Sequence, residues 1–295
     1  MSRGIPKPDI LDLIIPSSTN TIILFGNSIT EWSFEQSNNG FGYQLEQYYM
    51  GKAQVCNRGV AGYTSSWLKE YFKDLMHEIR EKTARPPLFF TIMIGANDAC
   101  TPGMAQHVPL PEFERNIKGY VDEILTNPAT EGTRVVLITC PPIGRPAPSQ
   151  DALRIRGFRP DAIVDEAMVQ AFKENMAFQT YLRKKQYAEK IMGIAKEYEN
   201  ATDRVAGLNC WKDFVDKALG KELSKVGTMT KDGEYEENYL PGSGLPAAVE
   251  FEQGTFTDGL HLGPQGYGLL SERLFELLFS KWPELRSQNL EGGDS

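Results

Sequence analysis

Residues 21–30, TIILFGNSIT, decide how the chain folds. Thr21–Phe25 is a short, unbroken run of β-branched, aliphatic and aromatic residues, the pattern of a strand covered on both faces. It stops at Gly26 and passes at once into GNSIT, which puts the hydroxyl of Ser28 at the carboxyl end of that strand. Working outward, AQVCN (Ala53–Asn57), LFFTIMI (Leu88–Ile94), RVVLIT (Arg134–Thr139) and RVAGLN (Arg204–Asn209) read as further strands. Between them Leu68, Tyr71, Phe72, Leu75 and Ile79 recur at helical spacing, as do Phe113, Ile117, Tyr120, Val121 and Ile124, and later Leu270, Leu274, Leu277 and Leu278. Each set forms one apolar stripe on an amphipathic helix. Strands that alternate with helices predict an α/β fold, a five-stranded parallel sheet between helical layers.

Two stretches break the rhythm, residues 144–171 and 220–254. The first is rich in Pro and Arg and the second, which includes GEYEENYLPGSGLPAAVEFEQG, has neither period. Both read as irregular insertions in a single domain whose core runs from about 21 to 282, the second as a mobile segment or a cover over a site mouth.

The chain has 295 residues, with 31 basic and 39 acidic side chains giving a net charge of −8. That balance argues against a nucleic-acid partner, which calls for a basic stripe. No run approaches the ~20 apolar residues of a membrane span, and the first twenty residues show no apolar core of a secretory signal. A cytoplasmic protein is expected. The four cysteines, Cys56, Cys100, Cys140 and Cys210, form no CxxC pair and read as free thiols, three of them buried. With so few histidines and such scattered cysteines, no metal site and no cofactor are expected.

Of the three histidines, His77 lies within an amphipathic helix and reads as a surface residue, and His107 sits in a proline-flanked loop. His261 stands three residues after Asp258 in TDGLHLGPQGYG. On a helical turn, residues three apart share a face, so the carboxylate would hold one ring nitrogen and leave the other as a base. The strand ends supply the complement. The second strand runs into NRGVAGYTS, with Gly59 and Gly62 in the following loop, and the third into GANDA, with Asn97. Open parallel sheets bind ligands at that edge. A hydroxyl, a glycine N–H and a carboxamide at one edge are the inventory of acyl transfer.

In order along the chain, GNSIT, AGYTS, GAND and DGLH resemble the four blocks of the GDSL or SGNH hydrolase superfamily. GANDAC followed by HVPLPEF is similar to its isoamyl-acetate-hydrolysing branch. The resemblance implies a flavodoxin-like strand order, Ser28 as nucleophile, His261 as general base and Asp258 as its orienting carboxylate. It also implies an oxyanion hole from the N–H groups of Ser28 and Gly62 and the side chain of Asn97. A small-molecule, largely apolar ester would be the substrate, with Trp32, Phe34, Tyr63 and Phe256 as candidate pocket lining. Two alternatives stand beside hydrolysis: transfer of the acyl group to another acceptor, and a catalytically silent binding protein. The one departure from the pattern is Asn27, where the family has aspartate.

Overall fold

The computed structural model describes residues 20–82, 85–146, 166–220, 230 and 234–290. Five strands, β1 (Asn20–Gly26), β2 (Ala53–Gly59), β3 (Phe89–Met93), β4 (Arg134–Ile138) and β5 (Val205–Leu208), form one sheet in the order β2-β1-β3-β4-β5. Every neighbouring pair is parallel, with Ile22 beside Val55 and Phe89, and Val135 beside Val205. The five expected strands are all present, to within two residues at each end.

Alternate side chains explain why both faces of the sheet are covered. Ile23, Phe25, Phe90, Ile92, Val135 and Leu137 point into one apolar cluster, and Ile22, Leu24, Phe89, Val136 and Ile138 into the other. The first cluster is closed by α3 (Leu68–Lys82), α4 (Leu110–Thr126) and α6 (Met176–Glu199). The second is closed by α2 (Phe41–Tyr48), α7 (Cys210–Leu219) and α8 (Pro264–Lys281). Two shorter helices, α1 (Ser28–Glu31) and α5 (Glu166–Lys173), complete the set of α-helices among the described residues. The result is the expected three-layer sandwich. Successive strands are added on one side of β1 and then, from β3, on the other, so the crevice at the carboxyl ends of β1 and β3 is the switch point where ligands bind in such sheets.

The two irregular segments are described only in part. Residues 147–165, 221–229 and 231–233 lie outside the described residues, and α5 begins within the first stretch. The described part of the second, from residue 234, is irregular but built into the body of the molecule. Leu240 and Leu245 are 1% exposed, and Leu240 packs with Tyr181, Trp211 and Val215. Tyr181 donates its hydroxyl to the carbonyl of Pro241 at 3.0 Å, and the Arg145 N–H donates to the Gly242 carbonyl at 2.9 Å. A few well-spaced apolar anchors fix this loop without any period for a sequence reading to detect. All four cysteines are free, with Cys56, Cys140 and Cys210 buried.

Candidate active site

Ser28 opens α1 directly beyond β1, and the turn that places it is tight. A side chain at Gly26 would meet Thr30 Oγ1 at 2.2 Å and the Met93 carbonyl at 2.7 Å, so only glycine lets the strand pass so close to β3. The carbonyl of Asn27 accepts from the N–H groups of Thr30 and Glu31 at 3.0 and 2.8 Å, which starts the helix and leaves Ser28 at its first turn. The Asn27 side chain is wholly buried, and neither its oxygen nor its nitrogen has a hydrogen-bond partner.

Asp258 and His261 arrive from the far end of the chain. Ser28 Oγ lies 3.0 Å from His261 Nε2, and His261 Nδ1 lies 2.7 Å from Asp258 Oδ2. The three side chains thus form one hydrogen-bonded line. The expected helical turn between Asp258 and His261 is absent. A loop closed by a bridge between Phe256 and Leu262 takes its place. Asp258 Oδ1 accepts the N–H groups of Leu260 and His261 at 2.9 and 2.8 Å, and Gly259 between them has φ +83°. The carboxylate therefore builds the turn with one oxygen and holds the imidazole with the other. An aspartate side chain that caps its own turn gives the same three-residue reach as a helix.

Burial is the largest single influence on Asp258 and pushes its pKa up. The two backbone N–H donors and the ring of His261 outweigh it and hold the carboxyl at about 2. Asp258 therefore stays ionised. The ring of Trp32 packs over His261, with centroids 4.1 Å apart, while Trp32 as a residue is 38% exposed and 55% of the Asp258 side chain is open to solvent.

The loop after β2 carries Gly62 at φ +77°, a left-handed conformation that favours glycine, with open space where a Cβ would stand. Glu31 Oε2 accepts the N–H of the preceding residue, Ala61. Asn97, beyond β3, donates one N–H of its carboxamide to the carbonyl of Tyr63 at 2.8 Å, which ties the third strand end to the second. Asp98 beside it is buried, and its Oδ1 accepts the Ser65 N–H at 2.8 Å. Burial pushes the Asp98 carboxyl up to about 6, against the bonds from Ser65, its own backbone and the charge of Lys184. Behind this loop, Lys184 of α6 donates to the Ala96 carbonyl at 2.6 Å.

The remaining candidates separate cleanly. His77 is exposed on α3, with Arg80 Nη2 at 2.8 Å from its Nδ1. His107 donates its backbone N–H to the Met104 carbonyl, and its buried Nδ1 has no partner. Trp32 stands at the site, over His261, whereas Tyr63 offers Asn97 its carbonyl and packs its ring against the core and Trp67. Phe34 and Phe256 pack against the core as well, Phe256 beside Phe214 and Phe251. Sequence reasoning missed Asp98 and Lys184. The first was signalled only by the acid that ends GAND, and the second by a lysine at an apolar register position of its helix.

A serine hydroxyl, an imidazole and a carboxylate stand in line at the switch point of a parallel sheet, the arrangement seen in serine hydrolases. The chain belongs to the GDSL-like lipase/acylhydrolase family, whose model matches residues 22–274, and it is a carboxylic-ester hydrolase. Among its relatives are the isoamyl acetate-hydrolyzing esterase 1 homolog of Bos taurus, 29% identical over 88% of this chain and 82% of that protein, and the isoamyl acetate-hydrolyzing esterase of Saccharomyces cerevisiae, 25% identical over 91% and 90%. A solved structure of an acetylxylan esterase from Geobacillus stearothermophilus shares the fold, with TM-score 0.52, 17% identity and coverage of 95% and 99%. Among the described residues no helix is long and apolar enough to cross a membrane.

Proposed function

We propose that the chain hydrolyses small, largely apolar carboxylic esters through an acyl-enzyme on Ser28. The observation that carries this reading is the hydrogen-bonded line Ser28–His261–Asp258 in a member of the GDSL family. Ser28 Oγ attacks the ester carbonyl carbon while its proton passes to His261 Nε2, and the imidazolium is held by Asp258 through Nδ1–H. The developing oxyanion takes hydrogen bonds from the Ser28 N–H, the Gly62 N–H and the second N–H of the Asn97 carboxamide, whose first is committed to Tyr63. His261 returns the proton to the departing alcohol, and the same base activates water for deacylation.

The openness of Trp32 and Asp258 to solvent favours water as the acceptor over transfer to a second alcohol. The names of the bovine and yeast relatives point to a short acyl group on a small branched alcohol, which suits a site bordered by the indole of Trp32. The test is a fluorophosphonate probe together with a panel of aliphatic esters. Labelling confined to Ser28, and turnover of isoamyl acetate that vanishes in Ser28→Ala, is the expected result. Unlabelled protein, or a Ser28→Ala variant as active as its parent, would refute it.

A further inference from the structure

The loop that bears Asn97 is gripped from behind by one helix. Arg183, Lys184 and Tyr187, all on α6, donate to the carbonyls of Cys100, Ala96 and Val108, the first two at 3.3 and 2.6 Å. Lys184 differs from the other two. Its side chain is buried, and it forms no ion pair among the described residues. Burial lowers its pKa, Cys140, Cys100 and Asp98 act in the opposite direction, and Arg145 adds to the lowering. An ammonium in an apolar interior costs stability that an unbranched apolar side chain of the same length would not. Packing alone therefore gives no reason for a lysine here. Its one hydrogen bond falls on the carbonyl immediately before Asn97, in a turn whose first residue, Gly95, has φ +128°.

We propose that Lys184 is a positioning residue for the carboxamide of Asn97. Its bond to the Ala96 carbonyl fixes the Gly95–Asn97 turn, so that the Asn97 amide stays between the Tyr63 carbonyl and the reacting ester oxygen. The inference rests on the oxyanion role proposed for Asn97 above. It differs from a purely structural role in one measurable way: the effect of Lys184 on turnover must pass through Asn97.

A double-mutant cycle on isoamyl acetate hydrolysis tests this. Asn97→Ala is expected to lower kcat roughly 10²–10³-fold, the usual effect of losing one oxyanion donor. Lys184→Met is expected to lower kcat about tenfold or more with KM and the pH midpoint unchanged, and with Tm equal to or above the parent. The double variant is expected to match Asn97→Ala within about twofold, because a misplaced donor that is already absent has nothing more to lose. Lys184→Gln, which keeps a donor on a shorter stem, should recover part of the loss, and it carries the same cycle if the methionine variant does not fold. Parental kcat in Lys184→Met, losses that multiply in the double variant, or parental kcat in Asn97→Ala would each overturn the proposal. An active Ser28→Ala variant would instead overturn the reading of the site itself.

Discussion

Replacing Asp98 by asparagine should make the protein more stable at neutral pH, and less so as the solution is acidified. The carboxyl of Asp98 has no exposed surface, and burial raises its pKa from 3.8 to about 6. A carboxylate whose folded pKa lies above its unfolded value costs stability wherever the folded state must hold it charged. The cost is fully present above about pH 6, fades as the pH falls toward 3.8, and is gone below that, where both states are protonated. At ~1.4 kcal/mol per unit, a rise of about 2 units amounts to about 3 kcal/mol at pH 8. Asparagine keeps the acceptor that Oδ1 offers the Ser65 N–H. It places an unpaired donor where Oδ2 has no partner, just as the protonated acid does. The variant therefore imitates the low-pH protein at every pH. For a chain of this size the gain corresponds to a Tm higher by ~6 °C or more at pH 8. Thermal melts of both proteins from pH 4 to 8 measure the difference. A variant that melts below its parent at pH 8, or an offset that does not change with pH, would refute the reasoning.

Activity should fall in acid as His261 becomes protonated, because His261 must be neutral to take the proton of Ser28, while Asp258, held at about 2, stays ionised; kcat/KM measured from neutral into acid pH checks this, and a flat profile would count against His261 as the base. Asp258→Asn should lower kcat by several orders of magnitude, ~10⁴-fold in comparable triads, with little effect on Tm, because its carboxylate is half-exposed. Asn27→Asp restores the family's usual residue but sets a charge in a wholly buried position with no donor in reach; a fall of ~1–3 kcal/mol in stability with kcat/KM within about tenfold is expected from urea titration and ester kinetics, whereas a hundredfold kinetic loss at unchanged stability would show that Asn27 itself serves the reaction. Leu240→Ala should cost ~2–5 kcal/mol, as measured by urea unfolding, since its side chain is buried among Tyr181, Trp211 and Val215.

The fold was legible because each strand is either an apolar run or flanked by one, and because the covering helices carry plain stripes. Thr21–Phe25 followed by GNSIT already contains the strand, its end and the residue at that end. The site was legible to the extent that strand ends gather chemistry at one edge, which brought Ser28, Asn97 and the pair Gly59 and Gly62 forward from the residue pattern, the family resemblance then choosing Gly62. The spacing of Asp258 and His261 was readable, but not the conformation. A helix and a side-chain-capped turn both put a carboxylate three residues from an imidazole, and only Gly259, at φ +83°, distinguishes them. The loop anchors Leu240 and Leu245 were out of reach, because two isolated leucines in a polar stretch carry no period.

What escaped the sequence has a common physical cause. Lys184 occupies a buried register position between Tyr181 and Ala188 on α6, so it interrupts the apolar stripe that would otherwise mark that helix. Asp98 and Asn27 likewise stand wholly buried beside two strand ends. At each of the three positions the apolar pattern is broken by a polar group that the fold alone does not require. For Asp98 and Lys184 the partners, Ser65 and Ala96, lie 33 and 88 residues away in the chain, so no local spacing can announce the pairing. Sequences depart from their own folding rules mainly where a site must be held. A polar residue at a position that periodicity assigns to the core is therefore a signal in its own right. In this chain it leads from the strand ends to the side chains that support them.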